Sequence, residues 1–278
     1  MSKKIEIHGH RGARGLLPEN TLSAFTEAVR LGVDAIELDV VISKDNQVVV
    51  SHEEWMHELF CTQPNGLPIQ PNTETQFNLY EMPYANIKLF DCGTKQNSHF
   101  PEQKTVKSYK PLLSEVIEHI EEYIKTNQQK PITYNIEIKS EVAHYDIFQP
   151  QPERLVELIL NVLKPFQLNH RIMLQCFDIN VLQILHQLTT NIPLGLLIEN
   201  NNTPAFNLNL LGFKPHFYNP EFILVNKELI QQLHQQQINI IPWTVNDIND
   251  MEQLVKIGVD GIITDYPNRA IELLRNNK

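Results

Sequence analysis

The chain has 278 residues, 42% hydrophobic and 20% charged, an ordinary globular composition with enough apolar material for a sizeable core. A formal net charge of −10 argues against nucleic acid or an anionic membrane as partner, because such surfaces attract basic patches and the sequence has none. An anionic substrate would therefore need a local reversal of sign, which a cation held by carboxylates supplies. No run of about 18 apolar residues is present, so no integral membrane segment is expected. No signal-peptide pattern opens the chain, and the expected setting is cytoplasmic. Cys61, Cys92 and Cys176 are odd in number and widely spaced. They read as buried or half-buried thiols rather than a disulfide framework.

In chain order, short apolar strand candidates alternate with stretches of helical periodicity. The strands are "KIEIHGH", "AIELDVVI", "VVVSH", "TYNIEIK", "RIMLQCF", "PLGLLIE", "INIIPWTV" and "GIITD". Between them, helix faces form from Leu22, Phe25 and Val29, and from Leu113, Val116, Ile117, Ile120 and Ile124. Leu155, Leu158, Ile159 and Val162 form another, as do Val181, Ile184, Leu185 and Leu188. Strands recurring with helices between them imply βα units and a mostly parallel sheet, and eight of them suggest closure into a TIM-like (β/α)8 barrel. An internal echo supports repeated units: "LGVDAIELD" (31–39) and "IGVDGIITD" (257–265) each put a helix-ending glycine before a strand that closes on Asp.

Two stretches break the rhythm. From about residue 53 to 110 there is no sustained period, and prolines, glycines and amides are frequent. This predicts a lobe inserted after the third strand of one 278-residue domain. The second, about 200–222, is Asn-rich and Pro-spaced and reads as surface loop with one short strand.

The chemistry gathers at strand ends. The first strand runs into "IHGHRGARGLLPENT" (7–21), where Gly12 and Gly15 allow a tight turn and the Pro18-Glu19-Asn20-Thr21 run offers a helix start. Residues two apart on a strand point the same way, so Glu37 and Asp39 project together, as do Glu137 and Lys139. Side-by-side carboxylates repel unless a cation lies between them. With Glu137 from another strand they form a hard oxygen site suited to Mg²⁺ or Ca²⁺, with Mn²⁺ a third candidate. "SKDNQ" reads as a tight turn pairing "VVVSH" back on the second strand, with His52 roughly opposite Asp39. His10 ends the first strand in the same manner. Two imidazoles beside such a site could act as general acid and general base. Arg11 and Lys139 are candidates for phosphate oxygens, and Trp243 for one wall of a substrate pocket. Each has a plain structural alternative in charge balance or core packing. The other histidines, His8 included, read as satisfied structural groups.

The ordered set "GHRG", "PENTLSAFTEAVRLGVDAIELDVVISKDNQVVVSHE", "NIEIK", "PWTVN" and "GVDGIITDYP" resembles the glycerophosphodiester phosphodiesterases, within the phospholipase-C-like phosphodiesterases. The likeness spans essentially the whole chain outside the insertion. It implies a metal-dependent phosphodiesterase on a TIM-like barrel, splitting small-molecule glycerophosphodiesters to sn-glycerol 3-phosphate and an alcohol. The catalytic pair would be His10 and His52, the ligands of one divalent metal Glu37, Asp39 and Glu137, and the substrate contacts Arg11, Lys139 and Trp243. Where many relatives carry an "LDRTTNGTG"-like stretch after the second histidine, this chain has "EEWMHELFCTQPNGLPIQPN" (53–72), a departure that bears on selectivity. A lysophospholipase D would use the same chemistry and should show an apolar groove in the insertion, which the Trp55, Met56, Leu59 and Phe60 cluster permits, though the same cluster reads equally as a lobe core. A silent metabolite-binding barrel is the alternative of another class.

Overall fold

The computed structural model describes residues 4–189 and 191–276. The chain opens with β1 (Glu6–Gly9), α1 (Leu22–Leu31) and a hairpin of β2 (Ala35–Ile42) and β3 (Val48–Val50). After the inserted lobe, which contains α2 (Tyr84–Ile87), come α3 (Leu113–Thr126), β4 (Thr133–Ile138), α4 (Pro152–Leu163), β5 (Ile172–Cys176) and α5 (Ile179–Leu188). The chain continues through β6 (Leu194–Ile198), α6 (Pro204–Leu211), β7 (Phe217–Pro220), α7 (Lys227–Gln235), β8 (Asn239–Ile240), α8 (Ile248–Ile257), β9 (Gly261–Thr264) and α9 (Pro267–Ile271).

Among the described residues, eight strands run parallel in the order β8-β7-β6-β5-β4-β2-β1-β9. Just past β8, Val245 N–H donates to the Ile263 carbonyl and Ile263 N–H to the Pro242 carbonyl, each at 2.9 Å, so the sheet nearly closes. This is the TIM-like barrel expected, with one stave exchanged. "VVVSH" is β3, which pairs antiparallel to β2 and lies off the ring. The eighth stave is β7, the one short strand expected in the 200–222 stretch, whose remainder holds α6 where surface loop was expected.

Helix packing follows the apolar periods. On α3 all five expected residues are buried, and on α1 Phe25 and Val29 are joined by Ala24 and Ala28. On α5 the buried set is Val181, Leu182 and Leu185, while Leu188, expected on that face, is 62% exposed at the helix end. Gly32 and Gly258 end α1 and α8 with φ of 95° and 102°, the left-handed geometry the echo predicted. No helix among the described residues is long and apolar enough to cross a membrane.

The lobe has its own core. Met56, Phe60, Ile69, Leu79, Ile87 and Phe90 pack with Val41 and Val49, which face outward from the hairpin. Burying such side chains contributes about 1.5–3 kcal/mol each. Met56 and Phe60 are therefore interior, as the lobe-core reading has it, while Trp55 lines the cavity at the carboxyl ends of the strands. Cys61 and Cys92 form a disulfide, overturning the free-thiol expectation, while Cys176 is free and buried. Such bonds persist in oxidising compartments and are rare in cytosol, so this one weighs against the cytoplasmic setting. The lobe is stitched to the β4–α4 connection by Glu54 Oε1 to His144 Nδ1 (2.9 Å) and Asn78 Nδ2 to the Ile147 carbonyl (2.7 Å).

Candidate active site

The carboxyl ends of the strands open onto a cavity of about 640 Å³. His10, Arg11, Glu37, His52, Glu137, Lys139 and Trp243 all line it. Asp39 completes the expected set from beneath, fully buried, with one of its oxygens in a cluster with Glu37 and Glu137.

The turn after β1 sets this geometry. His10 N–H donates to the Thr264 carbonyl at 2.8 Å, which fixes the strand end. Arg11 and Gly12 then take positive φ, 49° and 86°. The reversal turns Arg11 N–H onto Glu37 Oε2 at 2.9 Å. At Gly12 a Cβ would lie 2.6 Å from the Ala24 carbonyl carbon, so only glycine lets α1 approach this closely. Gly15 serves space rather than turning, since a Cβ there would sit 2.4 Å from the Tyr266 ring.

One carboxylate oxygen each from Glu37, Asp39 and Glu137 lie within 4.8 Å of one another, all three residues buried. Parallel pairing sets Asp39 beside Glu137, and period-two alternation turns both inward. Burial, then the charges of Asp39 and Glu137, push the Glu37 carboxyl well above its usual range. Burial would raise Asp39 too, but the Arg11 guanidinium and neighbouring charges outweigh it and hold that carboxyl low. Asp39 Oδ1 is buried without a hydrogen-bond partner. An orphan anionic oxygen beside two further buried acids has the donor chemistry of a hard divalent cation site, so the residues fit the metal that the resemblance implies.

Cations surround the acids. Arg11 Nη1 donates to Glu19 at 2.7 Å, and its Nε lies 3.5 Å from Asp39. Lys139 Nζ donates to Glu137 Oε1 at 2.6 Å. Burial lowers the Lys139 ammonium's affinity for its proton, but Glu137 and Asp39 outweigh this and hold it above its usual range.

Each histidine is backed by a carboxylate. His10 Nδ1 is 2.7 Å from Asp265 Oδ1, and His52 Nδ1 is 2.7 Å from Glu53 Oε1. Burial and the Arg14 charge push His10 down to about 4 against the pull of Asp265, so its ring is neutral at pH 7. The hairpin register differs from the expected one by one residue. Ser51 N–H donates to the Asp39 carbonyl at 3.0 Å, so Ser51, not His52, lies opposite Asp39. The Trp243 indole donates to the Asn219 carbonyl at 2.8 Å and meets Phe177 edge-on at 5.6 Å, forming an aromatic wall.

The profile of the glycerophosphoryl diester phosphodiesterase family matches residues 10–269. The chain belongs to that family. Compared with a glycerophosphodiester phosphodiesterase of Bacillus altitudinis it is 30% identical over 274 residues, 98% of this chain and 99% of that one. A crystal structure from Silicibacter pomeroyi DSS-3, assigned provisionally to the same family, superposes with a TM-score of 0.89 at 26% identity, covering 100% of this chain and 95% of that one. An Oleispira antarctica phosphodiesterase in complex with sn-glycerol 3-phosphate shares the fold, with a TM-score of 0.75 at 21% identity and 96% coverage of both chains.

This family member holds its site with residues that the motif reading left out. Glu19 and Asn20, read only as a helix start, grip Arg11 and Asp39: Asn20 Nδ2 donates to Asp39 Oδ2 at 2.8 Å. The cap itself is Thr21, which accepts from Ala24 N–H at 3.3 Å. A signal was present, because a helix start needs one capping side chain and "PENT" supplies three polar ones. For Asp265 the signal was the echo, which aligns it with Asp39 but was read for architecture alone. Glu53 adjoins His52, but adjacency alone does not show the two side chains meeting, and Arg14 carried no spacing signal because its partners Asp265, Phe100 and Gln103 are distant in sequence.

Proposed function

We propose that this chain hydrolyses glycerophosphodiesters, such as glycerophosphocholine or glycerophosphoethanolamine, to sn-glycerol 3-phosphate and an alcohol. The whole chain, with its insertion at about 53–110, acts as one catalytic unit. The observation that carries the reading is the buried triad Glu37, Asp39 and Glu137 opening on a cavity that two carboxylate-backed histidines also line. Family membership supplies the reaction class.

In this reading the triad holds one divalent metal, Mg²⁺ or Ca²⁺ with Mn²⁺ a third candidate, which when bound supplies Lewis-acid stabilisation of phosphoryl charge. The protein's own groups do the rest. Arg11 and Lys139 bind the non-bridging oxygens and favour the five-coordinate state, where charge on those oxygens grows. Their attachment to Glu19 and Glu137 fixes them before substrate arrives. One of His10 and His52 takes the proton from the attacking oxygen, and the other protonates the departing alkoxide. The carboxylate at each Nδ1, buried Asp265 for His10 and half-buried Glu53 for His52, leaves Nε2 for that exchange. Trp243 bounds the carbon skeleton, and its wall excludes water on that side.

The test is a coupled assay for released glycerol 3-phosphate across several glycerophosphodiesters, with each ion and with chelator. His10→Ala and His52→Ala should each lower kcat about 100-fold or more. Near-normal turnover in either variant, or full activity in chelator, would remove that group from the mechanism. A protein that binds these diesters without turnover would instead be the silent barrel.

A further inference from the structure

Arg14 lines the cavity, where a third cation for the substrate phosphate is the obvious reading. Its guanidinium is engaged elsewhere. Nε and Nη2 donate to the two oxygens of Asp265 at 2.7 and 3.1 Å, and Nη1 lies 3.7 Å from Glu19 Oε2. The Phe100 ring covers the guanidinium at 4.7 Å, and Gln103 Nε2 donates to the Arg14 carbonyl at 2.7 Å. Phe100 and Gln103 are buried residues of the inserted lobe.

Asp265 has no freedom left. Oδ1 accepts from Arg14 Nε and lies 2.7 Å from His10 Nδ1, while Oδ2 accepts from Arg14 Nη2 and from Asn246 Nδ2 at 2.7 Å. An ionised carboxylate only accepts, so it keeps the imidazole proton on Nδ1 and leaves the Nε2 lone pair free. Nε2 is turned toward the acid cluster, 3.9 Å from Glu37 Oε2. The Asp265 backbone is held too: its N–H donates to Asn246 Oδ1 at 3.0 Å, and its carbonyl accepts from Gly15 N–H at 2.9 Å.

We propose that Arg14 and Asp265 are positioning residues: the inserted lobe anchors Arg14, Arg14 fixes the Asp265 carboxylate, and Asp265 holds the His10 ring with Nδ1 protonated and Nε2 aimed at the reacting atoms. The lobe thereby acts on catalysis as well as on selectivity. This rests on His10 being one of the acid–base pair.

The experiment combines kinetics with the tautomer of His10. Arg14→Lys keeps a cation at the cavity and loses the fork, and Asp265→Asn replaces an acceptor oxygen by a donor. With glycerophosphocholine and saturating Mg²⁺ or Ca²⁺, each should lower kcat about 10- to 100-fold with KM within about twofold of wild type, the usual scale for a lost orienting partner. Gln103→Ala, which loosens Arg14 from the lobe alone, should lower kcat in the same direction. In ¹⁵N-labelled, metal-free protein, long-range ¹H–¹⁵N spectra should show His10 protonated at Nδ1, with the signal identified by its loss in His10→Ala. In Asp265→Asn the proton should move to Nε2.

A raised KM with unchanged kcat in Arg14→Lys would make Arg14 a phosphate contact and overturn the proposal. So would an unchanged tautomer and kcat in Asp265→Asn while His10→Ala is inactive. Full turnover in His10→Ala would sink the acid–base reading itself, a separate result. If Asp265→Asn does not fold, the kcat and KM of Arg14→Lys and Gln103→Ala decide.

Discussion

Cation binding should stabilise this fold by an amount set by the crowding of its acids. Three buried carboxylates sit within 4.8 Å, and the Glu37 carboxyl is pushed up by burial and by its two neighbours, so the ion-free site is a place of repulsion. An ion at 100 times its Kd stabilises the native state by about 2.7 kcal/mol. A domain of this size shifts its Tm by roughly 2–4 °C per kcal/mol, so the melt should rise by about 5–10 °C. Glu37→Gln removes one ligand charge and also part of the repulsion. Its ion-free melt should therefore be no lower than wild type. If Kd weakens about 100-fold, the same ion concentration equals Kd, and RT ln 2 is only about 0.4 kcal/mol, or roughly 1 °C. Thermal melts of chelator-stripped protein against Mg²⁺, Ca²⁺ and Mn²⁺, with titration calorimetry for Kd, give both quantities. Absence of any rise with all three ions at millimolar concentration, or an equal rise in Glu37→Gln, would refute the reasoning.

Two further outcomes concern parts remote from the cavity. Arg171 grips Glu121 through Nη1 and Nη2 at 3.0 and 2.6 Å. Burial works against ionised Glu121, but the hydrogen bonds from Arg171 and Tyr134 outweigh it and lower its carboxyl below the ordinary range. A depressed carboxylate contributes stability above its unfolded value and loses it as pH falls through the folded one. Arg171→Met should therefore cost about 1 kcal/mol at pH 7 in denaturant unfolding, with the gap to wild type closing below about pH 4. A gap that stays constant on acidification would show that the loss is packing. The Cys61–Cys92 bond closes a loop across 31 positions. Cys61→Ser/Cys92→Ser should lower stability by about 3–4 kcal/mol on the chain-entropy scale. Intact-mass analysis after alkylation, which adds label to both thiols only if they are reduced, tests the bond directly.

The alternation in "IELDV" and "NIEIKS" was enough to put Glu37 with Asp39 and Glu137 with Lys139, because residues two apart on a strand share a face. The hairpin was legible for the same reason, but its register was not. A one-residue slip in pairing leaves the residue pattern equally plausible until the chain beyond β3 fixes it. The short strand expected in 200–222 is β7, but its place as a barrel stave was not legible, because "FYNP" is short, polar at Asn219 and ends on Pro220, and Asn219 Nδ2 finds Gln175 only past the intervening β6. Cysteine parity misled, since the odd thiol, Cys176, is simply buried at the end of β5, where it donates to the Ile138 carbonyl, while the other two pair. The carboxylate behind His10 comes from the far end of the chain, beyond local spacing, whereas Glu53 adjoins His52 in sequence and needed only the side-chain directions to show the contact.

The insertion's roots have a consequence for anyone grafting loops among these barrels. Gln103 reaches the carbonyls of Arg14 and Leu17, Lys104 N–H joins the Leu16 carbonyl, and Lys110 donates to Ser51 Oγ beside His52. A chimera that exchanged only the outer face to alter substrate choice would keep these moorings and remain competent. One spliced at residues 53 and 110 would cut both tethers at once and inherit a correctly folded but miswired catalyst.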